Sequence, residues 1–263
     1  MTKAEIYKAD AGDNITGMSP RAGHFYAVGI GPGSPDLLTI RAAKLVEKCD
    51  VILAPQAKNS AKSLAIEAVR PFLSDQEITI LNYPMERNER NTRQRWQNLA
   101  NDVVNHCAAG QSVVQVTLGD PLIFATSSYL LQSLADHMPA DHLHVVPGIS
   151  AFQTSASRFA EVLTLQEDRL TLMSATNLDA VDQALDHCET LVLYKAGGCI
   201  EALMALLRRR NLLSQARLVS CGEQGDHELL VKDLSQWPMK PLSYMTTLIV
   251  RIGQRGWQED ATA

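Results

Sequence analysis

The stretch Gly29-Ile30-Gly31-Pro32-Gly33-Ser34-Pro35 follows at once on the β-rich run His24-Phe25-Tyr26-Ala27-Val28, and its reading decides the fold. A glycine-rich turn that ends such a run and precedes a segment of helical period, here 37–48, opens a strand–turn–helix unit. The same rhythm continues outward from it. Strands are expected at 24–30, 51–54, 77–83, 112–118 and 142–146, with helices at 37–48, 61–73, 90–109 and 123–135. Strands that alternate with helical crossovers run parallel, which places this part in the α/β class.

Pro147-Gly148 breaks the pattern. Beyond it the sequence predicts a helix at 150–160, strand 169–174, helix 178–188, strand 190–195, helix 199–210 and strand 217–221. Helical period then disappears. Residues 227–233 and 244–252 read as consecutive strands joined by a proline-containing connection, which suggests antiparallel pairing in the second sheet. The expectation is two α/β domains, 24–146 with a mainly parallel sheet and 147–253 with a mixed one. A cleft between them would be the place for a small-molecule site. Residues 1–23 read as a flexible leader and 254–263 as a tail.

Of the 263 residues 46% are hydrophobic and 20% charged, a balance that supports a packed core and excludes a disordered chain. A net charge of -5 and a pI near 5.8 argue against a protein that coats nucleic acid, since neutralising phosphates needs surplus Lys and Arg. Trp96, Trp237 and Trp257 are too dispersed for a base-stacking platform. The longest apolar runs, such as Leu191-Val192-Leu193-Tyr194 and Thr247-Leu248-Ile249-Val250, stop far short of the roughly 20 residues that span a bilayer. With no apolar stretch at the polar N-terminus either, a cytoplasmic location is expected. Cys49, Cys107, Cys188, Cys199 and Cys221 form no C-x-x-C pair and read as reduced, buried thiols.

The first loop invites a dinucleotide reading, which fails on its own terms. That fingerprint needs a third glycine three positions after the second, where Ser34 stands, and Pro32 and Pro35 remove N–H donors from the turn. Two further loops follow strand ends: Leu118-Gly119-Asp120-Pro121 and Pro147-Gly148-Ile149-Ser150-Ala151. In open α/β sheets ligands gather at the C-terminal strand ends, so three such loops would share one binding rim. Asp120 either accepts hydrogen bonds from a ligand or caps the helix expected near Ile123.

Other residues carry two readings. Arg87, Arg90, Arg93 and Arg95 could receive an anionic substrate, or form a solvated helix face paired with Glu86 and Glu89 at i,i+4 spacing. Arg208-Arg209-Arg210 ends a helix, where cations meet the dipole favourably. His142 and His144 alternate on a strand and suggest a metal pair, but no third ligand is near in sequence, so no metal site is expected. His24 reads as an isolated structural histidine.

Taken together and in this order, Gly-x-Gly-Pro-Gly-x-x-x-Leu-Leu-Thr (Gly29 to Thr39), Gly-Asp-Pro (Gly119 to Pro121) and Pro-Gly-Ile-Ser (Pro147 to Ser150) resemble the tetrapyrrole methylases. These are the class III S-adenosylmethionine-dependent methyltransferases. The resemblance spans about residues 24–253 and includes Leu193-Tyr194-Lys195-Ala196-Gly197, the Gly222 turn and the strand Tyr244 to Val250. One departure is Ser34, where relatives often carry an acidic residue. Within the family, Val51-Ile52-Leu53-Ala54-Pro55, Ser63-Leu64-Ala65, Tyr83-Pro84-Met85-x-Arg87, Ser127-Ser128-Tyr129-Leu130 and Arg169-Leu170-Thr171 resemble the branch that methylates C(20) of precorrin-2 or cobalt-factor II in cobalamin biosynthesis.

The resemblance implies a folded S-adenosylmethionine held largely by backbone groups. The contacts it implies fall on Pro32, Leu118, Gly119, Asp120, Ile123, Ser150, Ala151, Lys195 and Gly222, and on Thr247. It implies a polycarboxylate tetrapyrrole substrate, for which Arg87 and Arg90 are the candidate contacts, no protein-bound metal, and a homodimer. The alternatives are another precorrin position, uroporphyrinogen III, a modified histidine on a protein or ribosomal RNA as acceptor. A tetrapyrrole-binding protein without turnover stands outside the methyltransferases altogether.

Overall fold

A computed structural model describes residues 19–57, 62–83 and 89–253. The chain divides into two compact units: one holds the described residues up to Gly31 together with Pro35–Gly148, the other Pro32–Ser34 and the described residues from Ile149 on.

The first unit is a five-stranded sheet, all parallel, built from β1 (Phe25–Gly29), β2 (Val51–Ala57), β3 (Glu77–Tyr83), β4 (Val113–Thr117) and β5 (Leu143–Val146) in the order β3-β2-β4-β1-β5. β1 (FYAVG) and β4 (VVQVT) are buried along their whole length, as central strands covered on both faces must be. Alternation along β1 separates two cores. Tyr26 and Val28 pack with Ala42, Leu45 and Val46 of α1 (Ile40–Lys48) and Ala65, Ala68 and Val69 of α2 (Leu64–Val69). Phe25 and Ala27 pack with Trp96, Ala100, Val103 and Cys107 of α3 (Glu89–Ala108) and Leu130 and Leu134 of α4 (Ser127–Leu134). The spacing of those α3 residues, i, i+4, i+7, i+11, is one helical stripe. Thr39 caps α1 by accepting from Ala42 N at 3.1 Å.

The second unit holds β6 (Leu170–Ser174), β7 (Thr190–Tyr194), β8 (Ala216–Ser220), β9 (Leu229–Val231) and β10 (Thr246–Arg251) in the order β6-β7-β10-β8-β9. Only β6 and β7 pair parallel, so the sheet is mixed, as expected. One face packs on α6 (Leu178–Ala184) and α7 (Ile200–Arg209), the other on α5 (Ala151–Ser157) through Ala156, Val192 and Ile249. β9 and β10 do not pair with each other; both pair antiparallel with β8, which lies between them.

One further expectation is corrected and one is extended. The helix expected from 123 begins at Ser127, because the hydroxyls of Ser127 and Ser128 both donate to the Pro121 carbonyl, at 3.1 and 2.9 Å, and close a loop where its first turn would lie. The triple arginine does more than meet a helix end. Arg210 donates to Asp182 at 2.7 Å and to Asp186 at 2.8 and 3.1 Å, tying α7 to α6.

Candidate functional site

β4, β1 and β5 are neighbours in the parallel sheet, so the loops leaving their C-terminal ends lie side by side. The first two form a short bridge: Gly31 N donates to the Gly119 carbonyl at 3.3 Å and Gly119 N to the Gly31 carbonyl at 2.7 Å. The third loop closes on both. A Cβ on Gly148 would overlap the Gly119 carbonyl oxygen and stand 2.7 Å from the Gly29 carbonyl carbon, whereas one on Gly29 would stand 2.6 Å from Gly148 N. Glycine is required there for close backbone approach rather than for its dihedral freedom.

Asp120 fastens this junction. Its Oδ1 accepts from Leu122 N at 2.9 Å and its Oδ2 from Gly148 N at 3.1 Å, so one half-buried carboxylate joins the second motif loop to the third. It does not cap α4, whose N-cap residue is Thr126. Leu118 and Ile123 flank the same loop, each partly exposed, with Ile123 N donating to the Asp120 carbonyl at 3.4 Å.

The remaining residues expected from the sequence as contacts fall in the second unit, where three motif segments meet. Pro32–Ser34 lies against the turn after β8: a Cβ on Gly33 would stand 3.5 Å from Gln224 Cγ. That turn, 221–224, carries Gly222, whose Cβ position is 3.9 Å from Thr154 Cγ2 on α5. The start of α5 holds Ser150 and Ala151, with Ser150 N donating to Gln153 Oε1 at 3.0 Å and Phe152 N to the Tyr194 hydroxyl at 3.3 Å. Tyr194 precedes Lys195, a residue in the left-handed region (φ 61°) whose ammonium lies 5.8 Å from the centre of the Tyr244 ring. Thr247 is buried in β10, paired with Val219 of β8.

Arg87 lies outside the described residues, and Arg90 falls in the first turn of α3. Arg93 and Arg95 are exposed one turn on. Sequence reasoning missed Glu228 and Arg158, which fix the 221–224 turn, because neither belongs to a local motif. It also missed a cluster of imidazoles. His24 Nδ1 lies 2.8 Å from His144 Nε2, and the His24 ring stacks on His142 with centroids 4.1 Å apart. His24 is therefore not isolated, and the His142–His144 pair has a third neighbour. Burial, and then the neighbouring imidazoles and Arg21, hold His24 and His144 below the ordinary histidine pKa, with Asp141 opposing. Among the described residues no group of three or more His, Cys, Asp or Glu is arranged to hold a metal ion. All five cysteines are free; burial pushes Cys49 up to about 12 and Cys107 to about 11, so both are protonated and unreactive.

Residues 24–225 match the family model of the tetrapyrrole (corrin/porphyrin) methylases, and the chain belongs to that family. A Salmonella typhimurium protein named cobalt-precorrin-2 C(20)-methyltransferase is 33% identical over 235 residues, 87% of this chain and 96% of the relative. The precorrin-2 C(20)-methyltransferase of a Sinorhizobium species is 29% identical over 210 residues, covering 76% and 84%. Among solved structures, a cobalt precorrin-4 methyltransferase superposes with a TM-score of 0.64 at 18% identity, covering 87% of this chain and 94% of that one. A uroporphyrin-III C-methyltransferase from Thermus thermophilus, complexed with S-adenosylhomocysteine, gives 0.61 at 21%, covering 86% and 96%. The two structures share the fold. Among the described residues no helix is long and apolar enough to cross a membrane.

Proposed function

We propose that this protein transfers the methyl group of S-adenosylmethionine to C(20) of precorrin-2 or cobalt-factor II in cobalamin biosynthesis. The observation that carries the reading is near-full-length similarity to a named C(20)-methyltransferase, at 33% identity over 87% of the chain. Pro32, Leu118, Gly119, Asp120, Ile123, Ser150, Ala151, Lys195, Gly222 and Thr247 are the proposed donor contacts, and Arg87 and Arg90 the proposed contacts to substrate carboxylates. The donor set fits the ligand. S-adenosylmethionine carries a cationic sulfonium and ammonium, which backbone carbonyls and the Asp120 carboxylate complement, and glycine at the loop junction lets the backbone come close.

Bound S-adenosylmethionine supplies an already activated methyl group. The chain's task is therefore to hold donor and acceptor in line and to exclude water, an alignment effect that lowers a bimolecular barrier. The acceptor is an electron-rich carbon of the macrocycle that later loses a proton to a base or to water. The reading includes a cytoplasmic homodimer, checked by light scattering. Its direct test is anaerobic incubation with isotopically methyl-labelled S-adenosylmethionine and each acceptor. Label in precorrin-2 or cobalt-factor II supports it; label in another precorrin or in uroporphyrinogen III moves the acceptor, and no transfer to any tetrapyrrole overturns it.

A further inference from the structure

The turn after β8 is held in an unfavourable shape. Cys221 (φ 52°) and Glu223 (φ 61°) both occupy the left-handed region on either side of Gly222, at a cost of about 1 kcal/mol or more for each non-glycine residue. Something must compensate. Cys221 N donates to the Met245 carbonyl at 2.9 Å and Gln224 N to the Cys221 carbonyl at 3.1 Å, but neither bond fixes the peptide that follows Gly222. Glu228 does: its Oε1 accepts from Glu223 N at 3.0 Å. The same oxygen accepts from Arg158 Nε at 2.9 Å, the second carboxylate oxygen pairs with Arg158 Nη2, and Arg158 Nη1 lies 3.4 Å from Glu223 Oε1.

The placement of this clamp matters. Arg158 follows the last turn of α5, the helix whose first residues are the candidate donor contacts Ser150 and Ala151, and Thr154 between them faces Gly222. Pro32–Ser34 lies against Glu223 and Gln224: a Cβ on Gly33 would stand 3.6 Å from the Glu223 carbonyl oxygen. The clamp thus ties three motif segments of the second unit to one geometry. Glu228 is largely buried and Arg158 about one third exposed, so the pair is shielded more than a surface ion pair. The hydrogen bonds from Arg158 hold the Glu228 carboxyl below the usual glutamate range.

We propose that Glu228, held by Arg158, is a positioning residue for the methyl donor: it keeps the 221–224 turn in the shape that presents the Gly222 backbone to S-adenosylmethionine. The inference rests on the reading of Gly222 as a donor contact. When the clamp is lost the turn samples its unstrained shapes, and apparent affinity falls by the fraction of time the competent shape is populated. Strain at the two left-handed residues, about 2 kcal/mol together, leaves that fraction at about one thirtieth, at tenfold per about 1.4 kcal/mol.

The test is calorimetric titration of S-adenosylhomocysteine into the full-length protein and its variants. Glu228→Ala is expected to raise Kd about thirtyfold. Glu228→Gln keeps an acceptor for Glu223 N–H and is expected to restore most of the affinity, whereas Arg158→Ala gives an intermediate loss. In methyl transfer, KM for S-adenosylmethionine rises while KM for the tetrapyrrole and kcat stay at wild-type values. Arg210→Ala, which removes an ion pair elsewhere in the unit, lowers Tm without moving Kd. If Glu228→Ala does not fold, Arg158→Ala and Glu228→Gln carry the same comparison. Wild-type Kd in Glu228→Ala, or in Arg158→Ala where Glu228→Ala does not fold, overturns the proposal whether or not Tm falls. If the wild type itself binds no S-adenosylhomocysteine, the reading of the donor site fails instead.

Discussion

Replacing Asp120 by Ala removes the acceptor of two backbone N–H groups, Leu122 N at 2.9 Å and Gly148 N at 3.1 Å. A hydrogen bond to a charged acceptor is worth about 1.5–3 kcal/mol when buried. Asp120 is only partly buried, so water recovers part of each, and about 1 kcal/mol apiece, roughly 2 kcal/mol in all, is the expected loss. Asp120→Asn retains one acceptor oxygen and is expected to lose about half of that. Urea unfolding followed by circular dichroism reads the first quantity; at a slope of about 1–3 kcal/mol/M, Asp120→Ala shifts the midpoint down by about 1 M. The loops freed by the loss also carry the proposed donor contacts Leu118, Gly119 and Ile123, so affinity for S-adenosylhomocysteine falls in the order wild type, Asn, Ala. An Ala variant within about 0.5 kcal/mol of wild type, the size of an ordinary surface substitution, would refute the fastening role. A normal loss of stability with unchanged affinity would remove Asp120 from the donor site.

Gly148→Ala places a methyl group against the Gly119 carbonyl oxygen and the Gly29 backbone, neither of which can rotate away, so a loss of about 3 kcal/mol or more is expected in the same assay. Arg251→Met removes the cation from the Asp168 carboxylate, which is fully buried 3.2 Å from the guanidinium and keeps the Leu165 N–H at 3.1 Å; a loss of about 3–5 kcal/mol is expected, and Asp168→Leu added to it recovers stability. His24 and His144 have depressed folded-state pKa values, so the unfolded chain binds protons first. Their contribution is complete above the ordinary histidine value of 6.5 and is lost as pH falls through the lower folded values. Urea titrations from pH 7.5 to 5 should show that slope, and His24→Gln should flatten it; an unchanged slope would contradict the assignment.

The central strands were legible because their chemistry is unambiguous: FYAVG and VVQVT are nearly continuous apolar runs, the pattern of strands covered on both faces. β2 is longer than its apolar run suggests. It continues through Pro55 to Ala57 beside β3 alone, since its pairing with β4 ends at Leu53, and the missing proline N–H matters less there. The start of α4 was misplaced because Phe124 takes a left-handed φ of 51° and the serine hydroxyls fold back on Pro121, neither of which has a periodicity. The order of β8, β9 and β10 depends on tertiary pairing alone. The same holds for the imidazole cluster: β1 and β5 are neighbours, with Tyr26 opposite His144, which brings His24 to histidines about 120 residues away. The motif loops carry the proposed donor contacts, but the residues that hold the 221–224 turn, Glu228 and Arg158, lie 70 positions apart and carry no local signature.

The most direct measurement is the position of the transferred carbon. With methyl-labelled S-adenosylmethionine and precorrin-2 or cobalt-factor II under anaerobic conditions, NMR of the product is predicted to show the label at C(20). The preferred acceptor reports whether cobalt is already in the ring. Label at any other carbon would contradict the named activity while leaving the family and fold in place.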